Sequence, residues 1–146
     1  MFGNRDDPRF GPRWALFAFV VTEVITRGIT YVLRLRGAGP DGGLIINGVH
    51  VHHVNFGLAI LVVLTFAWLA RGSRSQSSTM PLWQPIAFGV GWSLVVDEHA
   101  MILFLEDVYW TDRGEESLVP LAIFTIVLAW MSFRPIRENK EAPQKD

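Results

Sequence analysis

The chain contains no cysteine. Disulfides, thiolate metal sites and cysteine nucleophiles are therefore excluded, and any metal ion would have to be held by His, Asp and Glu. Histidine is scarce as well: four residues cannot supply the many-histidine di-iron centre of membrane desaturases. Charge of one sign is missing, since 13 Lys and Arg stand against 14 Asp and Glu, a formal net charge of −1. With no basic stripe beside aromatics, nucleic acid is excluded as a partner. The first apolar run also lacks a small-residue cleavage site. It is long and interrupted by Glu23 and Arg27, so it reads as a retained segment and not as a signal-peptide core.

What is present is mostly apolar: half of the 146 residues, with six Trp. The length fits one domain. Four segments approach the bilayer-crossing length of about 20 residues, at roughly 14–33, 53–70, 85–105 and 118–133. Pro85 suits a first helical position, Ser117 an N-cap and Pro135 a helix stop. The expected fold is an all-α membrane protein, a four-transmembrane-helix bundle with a short extracytoplasmic β-hairpin before the second helix. The hairpin expectation rests on Asn47-Gly48 between two short β-prone runs, Leu44-Ile-Ile and Val49-His-Val, a strong turn signal. Residues 1–13 read as a cytoplasmic N-terminal tail, 14–133 as one transmembrane domain and 134–146 as a disordered cytoplasmic tail.

Orientation follows from Lys and Arg in the connections. Arg5, Arg9, Arg13, Arg71, Arg74, Arg134, Arg137, Lys140 and Lys145 lie on one side, and Arg34, Arg36 and Arg113 on the other. The expected location is the plasma (inner) membrane, multi-pass, with both termini in the cytoplasm and the 34–52 and 106–117 connections outside.

The third apolar segment carries Asp97, Glu98 and His99 in its interior and Glu106 and Asp107 at its far end. A carboxylate inside a membrane helix costs about 2.5–3.5 kcal/mol on insertion scales, so it should face protein, water or an ion. At about 1.5 Å per residue, Arg27 of the first segment reaches the depth of Asp97 to His99, and His50, His52 and His53 lie at the outer mouth of the second. On a continuous helix His99 and Glu106 share a face, Glu98 lies a quarter-turn away and Asp97 is opposite.

These positions give a candidate metal set of His50, His52, His53, Glu98, His99 and Glu106, with zinc or iron as the divalent ion. Glu98 and Asp97 are the candidate catalytic carboxylates. Asp97 is also placed to turn toward Arg27, and Glu23 and Arg27, spaced i, i+4, form a structural ion pair. The bland alternatives are a wet histidine loop and a structural polar network. Gly89-x-Gly91 followed by Ser93 has no surrounding βαβ unit, so it reads as a close-packing surface and not a nucleotide fingerprint. Trp14, Trp83 and Tyr109-Trp110 fit interfacial belts.

His52-His53-Val-Asn-Phe-Gly57, Gly89-Val-Gly91-x5-Asp97-Glu98 and Asp107-Val-Tyr-Trp110 together resemble a group of small prokaryotic integral membrane proteins. That group shares H-H-x-x-x-G, G-x-G-x5-D-E and D-V-Y-W-like elements. The resemblance covers about half the chain and implies a membrane location. In that pattern the residue after D-E is usually apolar, and here it is His99.

Three functions fit the sequence. The first is a metal-dependent enzyme acting on a lipid-like substrate. The second is a non-enzymatic membrane subunit, in which the polar cluster locks the helices and the outer hairpin docks a partner protein or a second copy. The third is proton or ion conduction along Glu23, Arg27, Asp97 and Glu98. In each the lipid bilayer is the surrounding partner.

Overall fold

The computed structural model describes residues 4–36, 44–46, 49–71, 80–104 and 116–135. In chain order these form α1 (Phe10–Leu35), β1 (Leu44–Ile46), β2 (Val49–Val51), α2 (His53–Arg71), α3 (Trp83–Asp97), α4 (His99–Phe104) and α5 (Leu118–Phe133). Strands β1 and β2 pair antiparallel, Leu44 with Val51, Ile45 with His50 and Ile46 with Val49. Asn47-Gly48, Glu106, the 107–110 motif, most of the 71–84 connection and the tail from 136 onward lie outside the described residues.

The expectation of four membrane-crossing helices is corrected. Among the described residues, two helices are long and apolar enough to cross, Phe10–Leu35 and His53–Ala70. The third apolar stretch does not run through: α3 stops at Asp97 after 15 residues, and six residues of α4 follow beyond Glu98. Fifteen residues rise about 22 Å, short of a hydrocarbon core of about 30 Å. Glu98 breaks the helix because its backbone takes a turn conformation (φ −100°, ψ 20°) while its carboxylate is held by the start of α2. Helix α5 has 16 residues and falls short for the same reason. Helix α3 also begins two residues before Pro85, which stands third, where its missing N–H is still no loss.

Helix α3 is the central element, and its neighbours are set by small residues. A Cβ on Gly89 would run into the Ala15 carbonyl and lie 2.9 Å from the Phe19 amide of α1. A Cβ on Gly57 of α2 would lie 2.7 Å from the Gly91 carbonyl. Absent side chains therefore let both backbones close on α3. Moving along α3, Gly89 meets Ala15–Phe19, Ser93 meets Glu23 and Asp97 meets Arg27, so α1 and α3 run parallel. On the other side Phe88 stacks near Trp68, Gly91 faces Leu61 and Asp97 meets His53, so α2 runs antiparallel. Helix α5 returns along α1, with Phe124 stacked on Phe19 at 5.1 Å and the Arg13 Nε donating to the Ser132 carbonyl at 3.2 Å.

The packed centre is Ala15, Phe19 and Leu128 with Phe88, Trp92 and Phe124 around them. The outer surface is apolar too: Phe66 of α2 is 67 % exposed and Ile126 of α5 is 66 % exposed. A water-soluble domain seldom shows so continuous an apolar exterior. With two span-length helices, it supports a membrane location.

Candidate polar centre at the start of helix α2

Three helices each bring a carboxylate or its partner to one point. Glu23 and Arg27 stand one turn apart on α1, and the Arg27 Nε donates to Glu23 Oε1 at 2.6 Å. The other Glu23 oxygen accepts from the Ser93 hydroxyl at 3.2 Å. The Arg27 guanidinium also reaches Asp97 Oδ1, at 2.8 Å. Asp97 Oδ2 lies 3.0 Å from Nε2 of His53, the first residue of α2.

Glu98 completes the set. Its Oε1 is 3.2 Å from Nδ1 of His52 and 3.2 Å from Nδ1 of His53. Its Oε2 accepts the Val54 backbone N–H at 2.7 Å. That amide is one of the donors a helix start leaves without an intrahelical partner. A carboxylate from another helix thus caps α2, and the positive end of the α2 dipole faces it.

The carboxylates are deep in the protein while their partners reach outward. The side chains of Asp97 and Glu98 are 0 % and 5 % exposed, those of Arg27, His52 and His53 38 %, 28 % and 20 %. His53 presents both ring nitrogens to carboxylate oxygens. A neutral ring has one N–H and satisfies one of them; an imidazolium satisfies both. One turn deeper the surroundings become apolar, with Phe19, Gly89 and Phe88.

Of the candidate metal ligands, His52, His53 and Glu98 converge here together with Asp97. His99 opens α4 on the far side of the Glu98 turn and makes no hydrogen bond or ion pair with this group. His50 is placed by its backbone pairing with Ile45, and Glu106 lies outside the described residues. Among the described residues, no group of three His, Asp or Glu side chains is arranged to hold a metal ion.

Two participants were not singled out from the sequence. Ser93 was read with Gly89 and Gly91 as packing surface, although it precedes Asp97 by one helical turn, which marks it as a neighbour on the same face. The Val54 amide carries no sequence signal beyond opening a helix. Comparison with family models, curated proteins and solved structures finds no match.

Proposed function

We propose that this chain is a non-enzymatic membrane subunit in which the Glu23–Arg27–Asp97–His53–Glu98–His52 network is the lock that fixes α1 and α2 against α3. One observation carries this reading: each oxygen of the three carboxylates already faces a nitrogen or hydroxyl of the same chain, Asp97 Oδ1 through the Arg27 guanidinium at 2.8 Å. A general base or metal ligand needs an oxygen left for substrate or ion. A lock needs them all engaged, since a half-satisfied buried network is worse than none. The partner, in this reading, is another membrane protein or a second copy.

The excess of Arg and Lys on the N-terminal tail, the 71–84 connection and the C-terminal tail favours a cytoplasmic position for them, with the polar centre toward the outer face of the inner membrane. The shared sequence elements favour kinship with small prokaryotic membrane proteins. The competing reading keeps zinc or iron on His52, His53 and Glu98.

Metal content and thermal stability of detergent-purified protein separate the two, with wild type beside His53→Ala and Glu98→Ala. A lock gives wild type without stoichiometric metal and two variants that melt earlier. Near-stoichiometric zinc or iron, lost in both variants, would overturn it in favour of a metal centre.

A further inference from the structure

At the opposite end of α3 from the polar centre lies a cavity of about 260 Å³ with a wholly apolar wall. Gly11 of α1, Met80, Phe88 of α3, Trp68 of α2, and Phe124 and Val127 of α5 contribute to it. Engineered apolar cavities of about 150 Å³ stay dry and take up a benzene-sized guest, so an apolar guest is the matching chemistry here.

The direction of the mouth identifies the guest. Trp68 and Val127 line the cavity from α2 and α5, yet they are 45 % and 48 % exposed. These two helices scarcely touch each other; each is held mainly by α3 or α1. The cavity therefore opens sideways between them, through the apolar surface that faces the bilayer. It extends from Met131 to Phe124 along α5, about 10 Å at 1.5 Å per residue, and one end lies at the first turn of α1, where the membrane-crossing segment begins.

That end is cationic. Arg134 follows the last turn of α5 and lies exposed, its guanidinium 5.6 Å from the centre of the Trp130 ring. Arg13, next to Pro12 of the cavity wall, is engaged with Asp7 and the Ser132 carbonyl. Arg134 stands three positions beyond Met131 of the cavity wall and forms no ion pair among the described residues, which leaves a charge for a lipid headgroup at this end.

We propose that the cavity holds the headgroup-proximal part of one acyl chain of an anionic phospholipid, with its phosphate on Arg134. The site is separate from the polar lock and stands or falls independently of it.

Native mass spectrometry of the delipidated full chain tests this, with phosphatidylglycerol and phosphatidylcholine offered together in equal amounts. Wild type should retain one phosphatidylglycerol with about a fivefold preference, the effect of one basic side chain at an anionic surface. Arg134→Gln should bring the preference to parity. Gly11→Leu should abolish retention, because a Cβ there meets only the flexible Met80 side chain, its Sδ at 3.4 Å, and a longer side chain enters the cavity. Val127→Phe fills the cavity from the opposite wall, so the pair keeps the test decisive if one variant does not fold. Equal retention by a folded filled variant, no retention by wild type, or an unchanged preference in Arg134→Gln would each overturn the proposal.

Discussion

Arg27 of α1 reaches Asp97 of α3 at 2.8 Å, joining a side chain that is 38 % exposed to one that is fully buried. The asymmetry decides what each substitution does. Removing one partner of a buried pair costs about 3–5 kcal/mol, because the remaining charge is left uncompensated. Water reaches Arg27 and His53 also contacts Asp97, so Arg27→Met should cost less, about 2–3 kcal/mol. Asp97→Leu should be no worse in the Arg27→Met background than alone. A double-mutant cycle on thermal or detergent unfolding measures this, and strict additivity of the two changes would show that the pair is not coupled.

Glu98 stabilises the start of α2 through the Val54 N–H. Leaving a buried backbone donor without an acceptor costs about 1–3 kcal/mol. Glu98→Ala should therefore raise amide exchange at Val54 and in the first turn of α2 by ten-fold or more, with the far end of α2 unaffected. Glu98→Gln keeps a carbonyl oxygen for Val54 but offers an amide to the two histidines, so its effect should fall between. Uniform loss of protection along the whole helix would instead point to global loosening.

The parts of this arrangement visible in the sequence are those governed by local spacing or by insertion cost. Glu23 and Arg27 are i, i+4, and their pairing follows from helical geometry. The depth count brought Arg27 to the level of Asp97 and Glu98 because rise per residue is nearly constant, while it left the histidines at the outer mouth of the second helix. What spacing could not supply was the break at Glu98. The residues of the third stretch are as apolar as a spanning helix, and the turn depends on Glu98 meeting a helix start some 44 positions earlier in the chain. Once that contact forms, α3 ends at Asp97 and His99 begins a separate short helix, α4. The same non-local cause shortened the third segment below membrane-crossing length.

Glycines along this chain should differ in sensitivity according to what faces them. Gly89→Ala puts a methyl group into the Ala15 carbonyl and against the Phe19 amide, and backbone cannot yield as a side chain end can. A loss of about 1–3 kcal/mol is expected from such overpacking. Gly28→Ala meets nothing within 4 Å and lies inside α1, where alanine is the better helix former by up to about 1 kcal/mol. Its unfolding midpoint should stay level or rise. Equal destabilisation by the two changes would mean that α1 does not approach α3 through Gly89.

Asp7, ahead of α1, is the group for which a pH effect can be assigned. Hydrogen bonds from the Arg9 side chain, then from the Arg9 amide, hold its carboxyl below its ordinary value of 3.8, with Arg13 adding attraction. A depressed folded pKa contributes stability that is complete above the unfolded value and lost as pH falls through the folded one. The N-terminal turn should therefore be insensitive to pH between about 7 and 5 on account of this group, and loosen below about 4. Asp7→Asn removes the charge at every pH. Amide exchange at Phe10 to Arg13, corrected for intrinsic rates, should be faster in Asp7→Asn than in wild type at pH 7 and pH 5. The difference should vanish once wild-type Asp7 is itself protonated. A difference that persists undiminished at pH 2 would assign the effect to the shape of the side chain and not to its charge.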